Sequence, residues 1–486
     1  MICFGRSGIK MIRSRGIRAL TVRPVKVNQS VSRIHTGKVS LASDRRSNST
    51  STTHSGVGVA GTVGGTGTVS QSSRGIQKEL VFPGSIRSQF TTQLNFNDPS
   101  EATPMPTYRL IDLDGHQLDP EYKIPFDKEK SLKMYRDMLT VSIMDSIMYD
   151  AQRQGRLSFY MVSAGEEGAA VGSAAALEPH DVMFCQYREQ GAILYRGVTL
   201  KEFMSQLYAN ADDYGQGRNM PVHYQSEKFN IHPISSPLAT QIPHAAGAAY
   251  ALKIRNKDNN EPDSGCVICY FGEGAASEGD FHAALNIAAT RACPVIFFCR
   301  NNGYAISTPS LEQYKGDGIA SRGVGYGIDT IRVDGNDLAA VHRVTREARK
   351  LAVENQRPVL IEAMSYRVSH HSTSDDSFAY RSKTEVEDWK RRDNPLARMR
   401  KWLELKDWWS EDLEQQTRKE IRREILSEMA AAEKRKKPSL DQIFNGVYSE
   451  LTEPLKRQRE ELKEILDTYP EHYDLSHYEK GREGLN

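Results

Sequence analysis

Two short apolar runs, Cys266 to Phe271 and Val295 to Cys299, constrain this chain more than any other feature. Each has the length and the unbroken hydrophobicity of a buried strand. Between them, Phe281 to Thr290 carries a helical pattern. Strand, helix and strand make a crossover unit of a parallel sheet. The expected fold class is therefore α/β, a parallel sheet flanked by helices. Such a unit brings both strand ends to one edge of the sheet, where ligands bind.

The residues at those ends carry chemistry. Gly272-Glu273-Gly274 closes the first run, and Asn301-Asn302 closes the second after 26 intervening residues. Glu273 and Asn302 should therefore converge. One carboxylate and one amide oxygen suit Mg²⁺, an ion commonly completed by water and by substrate phosphate oxygens. The glycines let the backbone turn tightly and approach a ligand. The helix that follows offers N–H groups and a positive dipole end to an anion. A bare GEG also fits a plain strand–helix turn. The spacing to Asn302 in matching strand context favours a metal–diphosphate site.

Composition bounds the alternatives. With 486 residues the chain can bury a large core. Charges of both signs are spread throughout, with no apolar stretch long enough to span a bilayer. Residues 1–43 hold nine Lys or Arg and no acid, so without them the formal charge moves from +2 to −7. A mildly acidic body argues against a nucleic-acid surface. The Arg-rich, acid-free start reads as a mitochondrial transit peptide over 1–45, or alternatively as a disordered basic tail. Ser, Thr and Gly then dominate a low-complexity linker over 46–80. Cys266 and Cys269 have C-x-x-C spacing, but three apart on a strand they face opposite sides, so buried structural thiols are expected.

Further elements follow from periodicity. An extended arm is expected over 81–125 and the main α/β domain over 126–383. Within it a helix should span about 129–154, with Leu132, Tyr135, Leu139, Ile143 and Ile147 on one stripe. Small residues from Met161 to Leu177 permit close backbone packing. Ala245 to Leu252 looks helical, and Val359 to Ala363 looks like a strand. A charged helical region fills 384–486. There Leu413, Ile421, Ile425 and Met429 share a face, and Ser410 is a candidate cap.

GEGAASEGD, the gap and RNNGYAIST (300–308) resemble the thiamine diphosphate motif of the 2-oxo acid dehydrogenases. MPVHY (220–224), ISSPLATQIP (234–243) and HHSTSDD (370–376) narrow the resemblance to the alpha subunits of the branched-chain decarboxylating enzymes, over roughly residues 81–486. The general motif has Asp where Glu273 stands, whereas branched-chain members carry Glu. Pyruvate dehydrogenase alpha subunits share the architecture and stay an alternative, as does a catalytically silent subunit. Ser369, where Gly is expected, and the long polar stretch Asn256 to Gly265 are local departures.

The resemblance implies a site. Thiamine diphosphate would be held by Tyr187, Arg188, Ser236, Leu238, Glu273, Gly274, Ala275, Arg300, Asn302 and His371. Magnesium would be held by Glu273, Asn302 and the Tyr304 carbonyl. Ser235, Pro237, Thr240 and Gln241 resemble a potassium (K⁺) site. An Arg fork suits phosphate oxygens, although any single Arg such as Arg188 more often makes a surface salt bridge. Arg300 stands out by position, directly before the Asn pair. The segment 234–241 is otherwise a plain turn and cap, and 370–376 a plain surface loop. His371 would be the catalytic residue of this chain, and Ser372 and Ser382 match regulatory phosphorylation positions served by a kinase and a phosphatase.

The implied reaction is oxidative decarboxylation of a branched-chain 2-oxo acid in the mitochondrial matrix. Its acyl product passes to lipoyl on an acyltransferase core. In this family the carboxylate that activates the cofactor belongs to a separate beta subunit, so an alpha2–beta2 heterotetramer is expected.

Overall fold

In a computed structural model the described residues are 91–259 and 265–485, with the strand pairs 79–80 and 88–89. The transit-peptide reading, and the linker reading as far as residue 78, fall outside them. In the amino-terminal unit, Glu79–Leu80 and Ser88–Gln89 pair antiparallel. Residues 95–486 form the second unit.

Seven strands build its main sheet: β1 (Thr107–Tyr108), β2 (Val182–Phe184), β3 (Ile231–His232), β4 (Val267–Gly272), β5 (Val295–Asn301), β6 (Asp329–Asp334) and β7 (Val359–Met364). Their order is β1-β6-β7-β5-β4-β2-β3, and every pairing is parallel. The expected crossover is present, with Gly272 in register with Arg300.

Alternation along the central strands explains why both runs are wholly apolar. Ile268, Tyr270, Ile296 and Phe298 enter one core, while Val267, Cys269, Phe271, Val295 and Phe297 enter the other. Each fully buried Phe or Ile contributes roughly 1.5–3 kcal/mol. Cys266 and Cys269 fall in opposite cores as buried thiols, as their spacing on a strand predicts.

Helices cover both faces. On one side lie α1 (Lys128–Arg153) and α2 (Glu167–Ala174); on the other lie α3 (Gln241–Asn259) and α4 (Gly279–Arg291). α5 (Leu338–Asn355) returns to the first side and packs on α2. The small residues of α2 are there for that contact. A Cβ on Gly168 would lie 2.9 Å from the Gly335 carbonyl, and one on Gly172 would lie 2.9 Å from the Leu338 carbonyl. α1 starts at the Asp127 cap and is buried on more than one stripe, since Met134, Met138, Val141 and Met144 are buried beside Tyr135 and Leu139.

A 3₁₀ turn, Ala275–Ser277, separates GEG from α4, whose bounds stand within two residues of the expected Phe281 to Thr290. Two expectations need correction. The stretch Asn256 to Gly265 is helical as far as Asn259, and residues 260–264 lie outside the described set. In the carboxy-terminal region, after α6 (Lys383–Arg392), Ser410 does cap α7 (Glu411–Lys434), but Leu413 is exposed. The buried stripe is Glu414, Thr417, Ile421, Ile425 and Met429. Glu414 displaces Leu413 because its carboxylate accepts from Tyr135 on α1 at 2.9 Å and from Trp409 at 2.8 Å.

Candidate cofactor and metal site

The carboxyl ends of β2, β4, β5 and β7 open onto a cleft of about 210 Å³. β2 leads into Gln186, Tyr187 and Arg188, β4 into Glu273, Gly274 and Ala275, and β5 into Asn302. The segment after β7 returns His371 to the same space. Glu273 and Asn302 therefore meet, as the crossover requires.

Glu273 is 1% exposed. Its Oε2 accepts from the Asn302 backbone N–H at 3.4 Å, while its Oε1 is buried with no protein partner. Burial pushes the carboxyl up to about 7, and the neighbouring Glu166 adds to that. A buried carboxylate oxygen without a donor is costly unless a cation or a proton meets it. The donor set fits a hard divalent ion.

Asn302 is oriented from behind. Its Nδ2 donates to Glu166 Oε1 at 2.9 Å, and its Oδ1 accepts from the Tyr304 N–H at 3.3 Å. The Tyr304 carbonyl accepts from Arg367 at 3.5 Å. Gly274 has an ordinary helical φ of −62°, so a left-handed turn is not its reason. A Cβ there would lie 2.8 Å from the Ala305 Cβ. Close approach between the β4 and β5 loops demands the glycine. Gly272 meets nothing that near.

Arg300 lines the cleft, but two of its arms are committed. Nε donates to Glu189 and Nη1 to Glu166, while Nη2 is held only by Gln186 at 3.4 Å. Burial is the largest influence on the Glu166 carboxyl and raises it, but the charges of Arg300 and Arg188 with the hydrogen bonds from Arg300 and Asn302 together hold it below its usual range. Glu189 moves the other way, because its burial exceeds what Arg300 returns. One guanidinium is thus shared unequally between two carboxylates.

Arg188 fastens the opposite wall. Its Nε donates to the Val162 carbonyl at 3.2 Å and its Nη2 to the His371 carbonyl at 2.5 Å. Tyr187 Oη lies 3.4 Å from His371 Nε2. Burial, reinforced by the charges of Arg188 and Arg367, lowers His371 to about 3. The ring is neutral at physiological pH, able to donate from one nitrogen and accept at the other. The run 370–376 is more than a surface loop. Thr373 is buried and pairs with the Tyr160 carbonyl, and Arg381 donates to the carbonyls of Arg367 and Ser369.

The other expected residues divide. Leu238 lines the cleft; Ser236 is exposed and bonds His223 Nε2 at 2.7 Å. Thr240 Oγ1 stands 3.1 Å from both the Ser235 hydroxyl and the Pro237 carbonyl, gathering three oxygens at the start of α3. The Gln241 amide nitrogen is used by the Tyr270 carbonyl at 3.0 Å. Ser372 is half-buried on a neighbouring cavity of about 380 Å³, and Ser382 caps α6 through the Glu385 N–H.

Four residues of the site escape the sequence reading: Glu166, Gln186, Glu189 and Arg367. The signal for Glu166 was a charged pair, Glu166-Glu167, set in a run of small residues. Nothing local marks the other three.

The Dehydrogenase E1 component family model matches residues 135–441, which covers every strand of the main sheet except β1, together with the cleft and α7. The mitochondrial 2-oxoisovalerate dehydrogenase subunit alpha of Caenorhabditis elegans is 54% identical over 392 residues, 81% of this chain and 90% of its own. The protein of the same name from Homo sapiens is 52% identical over 399 residues, 82% and 88% of the two chains. That from Dictyostelium discoideum is 53% identical over 375 residues, 77% and 84%. These matches run through every strand of the main sheet that supplies the cleft, and the chain belongs to the dehydrogenase E1 component family.

Proposed function

We propose that the chain is the alpha subunit of a mitochondrial branched-chain 2-oxo acid dehydrogenase, the decarboxylating component that acts on 2-oxoisovalerate and its relatives. Its relatives' names and coverage support the substrate class. The observation that carries the site is the orphaned Oε1 of Glu273 beside an Asn302 amide held in one orientation.

In this reading Glu273, Asn302 and the Tyr304 carbonyl would hold Mg²⁺, which would neutralise the diphosphate charge of thiamine diphosphate. Arg188 and the Nη2 arm of Arg300 face the same anion. Tyr187, Leu238, Gly274 and Ala275 shape the cleft, and Ser236, on the same turn as Leu238, would reach the cofactor from outside that lining. The cofactor, when bound, supplies the electron sink for loss of carbon dioxide. The chain's own contribution is to bind, orient and exclude water. Neutral His371 holds a hydrogen bond to phosphate or to the reacting group. Ser235, Pro237, Thr240 and Gln241 hold K⁺ and steady the turn that carries Leu238. A beta subunit supplies the activating carboxylate, and lipoyl on an acyltransferase core takes the acyl group. Phosphorylation of Ser372 by a kinase adds about −1.5 to −2 charge next to His371 and switches the site off until a phosphatase acts. Ser382, at the cap of α6, is the second phosphorylation position.

The test is magnesium-dependent binding of thiamine diphosphate by the alpha–beta complex, together with turnover of 2-oxoisovalerate against pyruvate. Glu273→Ala should abolish metal-dependent binding. Unchanged binding would undo the metal assignment, and preference for pyruvate would undo the substrate class.

A further inference from the structure

Glu166 is 1% exposed and spends its two oxygens on two different partners. Oε2 takes Arg300 Nη1, and Oε1 takes Asn302 Nδ2 at 2.9 Å. An amide side chain is nearly symmetric in shape, so only its hydrogen bonds decide which end faces a metal. An acceptor that can only accept, placed behind Nδ2, fixes Oδ1 on the opposite side, where it takes the Tyr304 N–H at 3.3 Å. The same carboxylate also takes one arm of the arginine, so the orientation of the amide and the pose of the guanidinium share one anchor.

We propose that Glu166 is a positioning residue for both the metal and the diphosphate: it locks the Asn302 amide with its oxygen on the metal side and ties that orientation to Arg300. Glu189 is the contrasting case. It pairs with Arg300 Nε and with the Gln186 N–H but has no bond to Asn302. Its loss should disturb the guanidinium alone. This inference rests on Glu273 and Asn302 being the metal pair.

The chemistry predicts a reciprocal rescue. In Glu166→Gln one end of the new amide must face a donor, either Asn302 Nδ2 or Arg300 Nη1, whichever way it turns. In Asn302→Asp a carboxylate is pressed against Glu166. Combined, the two changes restore a match. The amide nitrogen introduced at position 166 donates to the carboxylate introduced at position 302, and the amide oxygen accepts from Arg300. The new carboxylate still offers an oxygen to the metal.

The experiment measures the Mg²⁺ concentration that half-saturates thermal stabilisation of the alpha–beta complex by thiamine diphosphate. Removing a partner that orients a metal ligand should raise that concentration roughly 10- to 100-fold in each single variant, and the double variant should return to within about threefold of the parent. Glu189→Gln should leave it within about threefold while weakening the cofactor. Singles at the parental value, a double no better than its worse single, or a Glu189→Gln shift as large as that of Glu166→Gln would each overturn the proposal. Glu273→Ala is run alongside. If it leaves the metal dependence intact, the metal pair itself is wrong; if it abolishes the dependence and the rescue still fails, only the role of Glu166 falls.

Discussion

At the scale of single residues the site is governed by contacts that admit no substitute. Gly274→Ala places a methyl 2.8 Å from Ala305, so the β4 and β5 loops must part. Overpacking of this kind costs about 1–3 kcal/mol. We expect a lower melting midpoint and weakened thiamine diphosphate binding by calorimetry, with Gly272→Ala milder because its nearest neighbour is 3.8 Å away. A second prediction concerns acid. Burial, helped by the charges of Lys130 and Arg346, lowers His342 to about 3 against an ordinary value of 6.5. The neutral ring is kept in the fold while an unfolded chain would protonate it. The stability this gives is whole above pH 6.5 and is lost as pH falls towards 3. Between about pH 6.5 and 5 the loss is about 2 kcal/mol. Thermal midpoints of His342→Gln should fall less steeply over that interval, and parallel curves would refute the assignment. Glu273 and Asn302 were legible from sequence because a crossover fixes where strand ends lie. Glu189 and Arg367 were not, because a buried ion pair or a guanidinium bonded to carbonyls leaves no period in a sequence.

At the scale of elements, binary pattern carried the fold well where one face or both faces of an element meet a core. β4, β5, β7 and α1 stand within two residues of their expected bounds. The pattern failed on α7, where a carboxylate occupies the stripe that Leu413 was expected to share. An apolar side chain cannot satisfy Tyr135 and Trp409 together, whereas Glu414 can. Glu414→Leu should therefore destabilise the docking of α7 on α1 despite added hydrophobicity. Buried Tyr135 loses its acceptor, at about 1–3 kcal/mol, and half-buried Trp409 loses one as well. Limited proteolysis should cut α7 earlier in that variant, and unchanged resistance would contradict the account. α2 makes the complementary point. Gly172→Ala improves intrinsic helix propensity by about 1 kcal/mol but drives a methyl towards the Leu338 carbonyl. A lower melting midpoint is the expected outcome, with packing winning over propensity.

At the scale of the whole molecule, the cleft is, on the proposed reading, half of a reaction centre: its residues would hold a metal and a diphosphate, and the carboxylate that would activate the cofactor belongs to the beta subunit. The purified alpha chain should bind its partner yet turn over less than about 1% of the substrate handled by the alpha–beta complex, a loss of more than about 2.7 kcal/mol in barrier terms. Normal turnover by the alpha chain alone would end that reading. No described helix is long and apolar enough to cross a membrane. The low-complexity start and the domain limits drawn from composition stay proposals. A reporter fused to residues 1–45 should enter mitochondria, and one that stays in the cytosol would reject the transit peptide.

The register that sets Gly272 beside Arg300 also bears on time. The groups around the proposed metal site follow separate elements, and the stretches joining Glu166, Glu189, Glu273, Asn302 and His371 span more than two hundred residues of chain. Such pairings form late, because each must first close a long loop. On the proposed reading, metal and cofactor meet their full set of ligands only where the sheet is already assembled, so their binding would act as a final inspection of the finished subunit, stabilising it by mass action rather than guiding its strands together.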